Sequence, residues 1–336
     1  MKLSITFYKS ALLVLLGVFV ATGATAQSND IPRTADGVPD LQGIYTYRTL
    51  TPLNRPTELA DKEVLSEVEA QEWQAYENRR QNRDLIIDSV GGAGYPPGVI
   101  SYNEFWYERG VETVADRRTS LVYDPPNGRV PALNATGQER ARIRAENRRL
   151  SFGPEARTLA DRCLRSNGAG PPLVPGSYNN NVQIVQTADH VMILSEMVHR
   201  ARIIPFAEEH QERNIRRWDG DSIARWDGDT LVISTRHFFY DDNPRGLSTE
   251  AVIEERITRL DDNTLDYDFT VSDPRSWDES WSARFPLRNI EDPIYEYACH
   301  EGNHGLQGIL AGWRRYEVEG LNGDGTALLA GSDDDE

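Results

Sequence analysis

Between Leu265 and Val271 the chain alternates without a break. Leu265, Tyr267, Phe269 and Val271 are apolar, and Asp266, Asp268 and Thr270 stand between them. An extended strand puts such a set on one face, whereas a helix scatters it around its girth. The pattern recurs at Trp281, Ala283, Phe285 and Leu287, and again at Leu231, Ile233 and Thr235. Turn signals lie among these runs at Asp219-Gly220, Asp227-Gly228, Asp241 to Gly246, Asp261 to Asn263 and Asp292-Pro293. Half-wet strands joined by tight turns describe an antiparallel meander. The expected fold class is therefore mainly β, an antiparallel β-barrel or a sandwich, with helical insertions.

The insertions show a different chemistry. From Ala60 to Asp84 the stretch "ADKEVLSEVEAQEWQAYENRRQNRD" is rich in helix formers, with acids early and arginines late, as the helix dipole favours. "TGQERARIRAENRRL", from Thr136, predicts a second polar helix, and Pro154 to Cys163 a third. "GGAGYPPG" at 91–98 breaks the chain. Gly43 to Thr49, "YNEFWYERG", "RTSLVYDPPNGRVPAL", "HVMILSEMVHRARIIPF" and "PIYEYACH" read as strands. One barrel domain is expected over 27–330, with insertions near 60–85 and 136–165 capping one end.

The first residues predict export. Lys2 and Lys9 flank a polar start, Ala11 to Ala21 is apolar, and Ala24-Thr25-Ala26 forms an A-x-A site. That run is short for a bilayer span, so residues 1–26 read as a signal peptide cleaved after Ala26. No later stretch is apolar enough to span, so a periplasmic or secreted protein without membrane insertion is expected. "GSDDDE", closing the sequence, reads as a disordered acidic tail over 331–336. A net charge of −17 repels nucleic acid and anionic membrane alike. In an exported chain two cysteines, Cys163 and Cys299, most simply form one disulfide. Two buried thiols, or a Cys299 nucleophile beside His300, are the alternatives.

Chemistry-bearing residues gather in the second half, where all six histidines lie. His300-Glu301-Gly302-Asn303-His304 is a literal H-E-x-x-H. Zinc binding by that motif needs both imidazoles on one helical face, and Gly302, Asn303 and Gly305 oppose a helix there. A polar site at a barrel mouth, using His300 and Glu301, is the preferred reading. Glu196 and Arg202, placed on one face of a single strand, suggest a carboxylate paired with an arginine, either pinning the sheet or catalysing. Glu254 and Arg256 repeat the theme. Tyr178, before three asparagines, suggests either a turn or a polar wall that hydrogen-bonds a ligand. The expected catalytic set is Glu196, Arg202, His300 and Tyr178, converging on a pocket inside the barrel, with His199, Asn180, Trp226, Tyr297 and Glu301 as ligand contacts. "RWDGD" occurs at 217–221 and 225–229, read as turns in preference to a calcium loop. Dinucleotide, P-loop and G-x-S-x-G patterns are missing from the sequence, so no cofactor or metal is assigned.

"PDLQGIYT", "YNNNVQIVQT", "ARWDGDTLVIST", "ERITRLDDNTLDYDFTVSDP" and "YEYACHEGN" together resemble an uncharacterised family of exported bacterial proteins, over nearly the whole mature chain. The resemblance implies no activity. It does imply that the position of His304 is often aromatic, which makes the H-E-x-x-H a local coincidence. The strand order and the start motif also look lipocalin-like. The expected function is acid–base chemistry of lyase, isomerase or hydrolase type on a small organic or sugar-derived molecule. A non-catalytic periplasmic binder is the alternative, and a zinc-dependent hydrolase the second alternative.

Overall fold

The computed structural model describes residues 31–85, 103–150, 153–166, 168–212, 214–239, 246–322 and 325–326. The expected signal peptide, the expected acidic tail, the 91–98 stretch, Tyr102 and residues 241–245 lie outside them.

Nine strands form a nearly closed antiparallel barrel. They are β1 (Gly43–Thr46), β3 (Asn181–Gln186), β4 (His190–Ser195), β5 (Arg200–Pro205), β6 (Asp221–Asp227), β7 (Thr230–Arg236), β8 (Val252–Arg259), β9 (Thr264–Ser272) and β10 (Trp281–Asn289). Their order is β5-β4-β3-β1-β10-β9-β8-β7-β6, and a short β2 (Val122–Asp124) also pairs with β10. An odd number of antiparallel neighbours leaves the two end strands pointing the same way. The seam between them is accordingly parallel: a bridge joins Phe206 to Ala224, and the Ala207 amide donates to the Ala224 carbonyl at 3.3 Å.

The alternation read from the sequence is the alternation of burial. Leu265, Tyr267, Phe269 and Val271 of β9 are wholly buried, as are Ala283, Phe285 and Leu287 of β10 opposite them. Tyr267 meets Phe285 at 5.1 Å and Phe269 meets Trp281 edge-on at 5.5 Å, so aromatic rings fill the middle of the barrel. Asp227-Gly228 turns the β6–β7 hairpin, with Gly228 at φ +59°, where a side chain would be strained. The carboxylates of both RWDGD copies are engaged in protein contacts. Asp219 is ion-paired with Arg165, Asp227 with Arg256 at 3.0 Å, Asp229 with Arg33 at 2.9 Å, and Asp221 contacts His210.

Helix α1 (Glu67–Gln81) starts on a capping box in which Ser66 and Glu69 satisfy each other's amides, and α2 (Ala135–Leu150) is the second expected insertion. Arg140 ties α2 to the barrel, donating to Ser276 Oγ at 2.8 Å and to the Leu247 carbonyl at 3.1 Å. The third expected helix is reduced to a 3-10 turn, Pro154–Ala156, followed by loop. "YNEFWYERG" is not a strand either: Glu104–Trp106 form a 3-10 turn and the chain runs on without pairing.

Two further strand readings fail for a physical reason. "HVMILSEMVHRARIIPF" is not one strand but the β4–β5 hairpin, reversing through Glu196 to His199. Val198 and His199 take positive φ there, a conformation that β-branched residues resist, so no glycine, proline or asparagine marks the turn. "PIYEYACH" is irregular and pairs with no strand among the described residues, and α3 (His304–Val318) follows it. The Cys163–Cys299 disulfide forms, with a Cα–Cα distance of 5.7 Å. It joins the loop after the 3-10 turn to the irregular stretch before α3, rather than a helix to a strand.

Candidate functional site

Inside the barrel, Arg202 and Glu255 form a bidentate pair, Nη1 to Oε1 at 3.0 Å and Nη2 to Oε2 at 2.6 Å. Tyr267 donates its hydroxyl to the same Oε1 at 2.7 Å and accepts from the Leu173 amide at 2.9 Å. Burial pushes the Tyr267 phenol well above its ordinary value, and the Glu255 charge adds to that. Burial pulls Arg202 the other way, but Glu255 more than reverses it, and the net direction is up. The expected Glu196–Arg202 pair therefore does not exist. The hairpin reversal puts Glu196 in the turn, and Arg202 finds its carboxylate on β8. Glu254 and Arg256, expected to join such a network, face outward, and the inward residue between them is Glu255.

Glu196 sits instead beneath a cleft at the barrel mouth. The cleft, about 300 Å³, is lined by Trp106, Tyr107, Glu108, Tyr178, Asn179 and Tyr297. Three segments distant in sequence build it. The C-terminal end of α1 holds the first: Glu104 accepts from the Arg83 amide at 2.9 Å, and Arg109 reaches Gln81 at 3.3 Å while stacking on Tyr107 at 4.3 Å. Asn180 holds the second, donating to the carbonyls of Glu108 and Gly176 at 3.1 Å and accepting from the Gly176 amide at 2.6 Å. Asn180 thus braces the cleft with its whole carboxamide and presents nothing to a ligand, unlike its expected role. His199 holds the third, its Nδ1 lying 2.8 Å from the Tyr297 carbonyl.

Two carboxyls converge under this wall. Asn181 donates to Glu196 Oε2 at 2.8 Å and approaches Glu108 Oε1 at 3.5 Å with the same nitrogen. Glu108 is ion-paired with Arg48 at 3.1 Å. Glu196 is only 4 % exposed. Burial raises its pKa above the usual carboxylate range, the neighbouring Glu108 raises it further, and bonds from Asn181, the Tyr295 amide and Asn179 offset part of the rise. One acid is thus biased toward holding a proton while its neighbour is paired with a cation, the asymmetry that separates a proton donor from a proton acceptor.

Of the expected site residues, the cleft brings together Tyr178 and Tyr297 in its lining, with Glu196 and His199 behind it. Arg202 lies in the barrel interior, so the four expected catalytic residues do not converge on an internal pocket. Trp226 stacks on Phe206 at 6.2 Å beside the seam. His300 and Glu301 are exposed in a turn and His304 opens α3 behind its Asn303 cap, so the H-E-x-x-H spans a turn and a helix start. Its two imidazoles do not share a helical face. Among the described residues no cluster of three or more His, Cys, Asp or Glu is placed to hold a metal. Sequence reasoning missed Glu108, which sits in a loop without periodicity. It missed Glu255, although the alternation of β8 puts Glu255 on the inward face between Glu254 and Arg256.

Fold and site define a nearly closed antiparallel β-barrel with an aromatic cleft and a carboxyl pair at its mouth. The chain matches no family model, no curated protein and no solved structure in comparisons with known proteins.

Proposed function

We propose that the cleft binds a small, uncharged, sugar-derived molecule and that Glu196 and Glu108 perform acid–base chemistry on it, with the protein acting outside the cytoplasm. The observation that carries this reading is the carboxyl pair gathered by one Asn181 amide under aromatic walls. Aromatic faces suit the apolar faces of a sugar ring, and Asn179 and Glu108 suit its hydroxyls. A protonated Glu196 would donate to a leaving oxygen, and Glu108 would take a proton from water or substrate. The disulfide supports an oxidising compartment, and no helix among the described residues is long and apolar enough to cross a membrane. The resemblance to an exported bacterial family points the same way.

A periplasmic carrier is the second reading, favoured by the shielding of Glu196 behind Asn179. The test is fluorescence titration and turnover with a panel of mono- and disaccharides and their nitrophenyl glycosides. Saturable binding lost in Trp106→Ala and Tyr178→Ala is expected, with turnover falling by about 10²–10⁴-fold in Glu196→Gln. Binding without turnover selects the carrier. No binding across the panel refutes the sugar assignment.

A further inference from the structure

A second constellation lies outside the cleft, on the outer wall of β6 and β7. Ile233 and Thr235 of β7 point inward, the first into the core and the second toward Arg202, so Ser234 between them points outward. Ser222 of β6 likewise bonds inward to Thr235, and Asp221 before it points outward. The segment linking β5 to β6 lays His210 across both. His210 Nδ1 lies 2.9 Å from Asp221 Oδ2, and its Nε2 lies 3.1 Å from Ser234 Oγ.

In the neutral imidazole the direction of these bonds follows from the partners: an Asp carboxylate only accepts, so Nδ1 carries the hydrogen and Nε2 accepts from the Ser234 hydroxyl. Asp221 Oδ2 also accepts from the Gln211 amide at 2.9 Å, which holds the acid against the ring. The His210 ring is largely buried, whereas Ser234 is half-buried. A serine on the wet face of a strand needs no imidazole to satisfy its hydroxyl, since water would serve.

From this geometry we infer that Ser234, His210 and Asp221 form a nucleophilic relay that transfers acyl groups from small, neutral, activated esters. Ser234 Oγ attacks the ester carbonyl carbon and its proton passes to His210 Nε2. The carbonyl carbon–oxygen bond to the alcohol then breaks, and the imidazolium returns that proton to the leaving oxygen. Water repeats the attack on the acyl-serine, again giving its proton to His210, and the acid departs as Ser234 regains its hydrogen.

Two features set the substrate class. Ser234 is paired on both sides, with Ile223 of β6 and Glu254 of β8, so its backbone belongs to the sheet ladder. An oxyanion donor contributes about 10²–10³-fold, and a site lacking a free amide pair needs a good leaving group, hence aryl or similarly activated esters. The neighbouring polar ring is His237, whose centroid is 5.9 Å from that of His210 and whose Nδ1 is buried without a hydrogen-bond partner among the described residues. Glu254, exposed beside Ser234, disfavours anionic esters.

The experiment is labelling of the full chain with a fluorophosphonate, read by peptide mass spectrometry, alongside p-nitrophenyl acetate hydrolysis. One adduct on Ser234 is expected, with a stoichiometric burst of p-nitrophenolate. Both should vanish in Ser234→Ala, and labelling should slow at least about 100-fold in His210→Gln with melting unchanged. The wild-type adduct is decisive even if His210→Gln fails to fold. No Ser234 adduct at millimolar reagent, or equal labelling in a folded His210→Gln, overturns the relay. Neither outcome bears on sugar binding in the cleft.

Discussion

Glu255→Gln should be among the most damaging single substitutions in this barrel. Glu255 is 0 % exposed and Arg202 is 5 % exposed. Removing the negative charge leaves a buried guanidinium without its paired carboxylate, with only the more distant Asp219 charge remaining, and among the described residues Arg202 Nε already has no hydrogen-bond partner. Breaking a buried pair from one side costs about 3–5 kcal/mol. In a domain this large that lowers the melting temperature by about 5–10 °C. Arg202→Met with Glu255→Gln removes both charges and should recover most of the loss, because a buried pair replaced by neutral groups of similar volume is often close to neutral. The assay is urea unfolding of wild type, both single variants and the double variant, with the disulfide intact. A coupling of about 2–3 kcal/mol is expected from the cycle. If Glu255→Gln stays within about 1 kcal/mol of wild type, or the two single effects simply add, the pair does not pin the barrel as argued. That result would also reopen Arg202 as a residue held for chemistry.

The disulfide closes a separation of 136 residues, so Cys163→Ser with Cys299→Ser should cost up to about 5 kcal/mol by the chain-entropy argument, read from denaturant midpoints of oxidised and variant protein. Glu196 has a raised folded pKa, so as pH climbs past its unfolded value of about 4.3 the unfolded chain releases a proton that the folded chain still holds. Stability from this group is therefore fullest below that pH and falls as pH rises through the folded value; Glu196→Gln should flatten that fall, and an unchanged pH–stability curve would show the acid is not buried as described. Phe285→Ala, removing a wholly buried ring from the aromatic middle of the barrel, should cost about 3–5 kcal/mol in the same unfolding assay.

The fold was legible where one physical rule acts on adjacent residues. Alternation in β7, β9 and β10 depends only on which side of a strand meets water, and the disulfide followed from compartment chemistry applied to two cysteines. Helices α1 and α2 announced themselves through composition and charge order. The β4–β5 reversal was hidden because Val198 and His199 hold positive φ through tertiary packing, with Val198 buried, rather than through a turn-forming residue type. That one turn decided the site reading. It moved Glu196 off the face of Arg202, gave Arg202 to Glu255, and left Glu196 to share Asn181 with Glu108.

Sequence by itself determined a mainly β fold, barrel or sandwich, with two helical insertions, the covalent link and the presence of tyrosines and a glutamate suited to a site. Only the tertiary structure decided which acids meet, since Glu108 and Glu196 come from segments brought together by α1, Asn180 and the β4–β5 turn. It likewise decided that His210, Asp221 and Ser234 fall in line. The reason is one of range: periodicity reports the environment of neighbouring residues, whereas a site is a set of contacts between residues far apart in the chain, fixed only when the sheet closes.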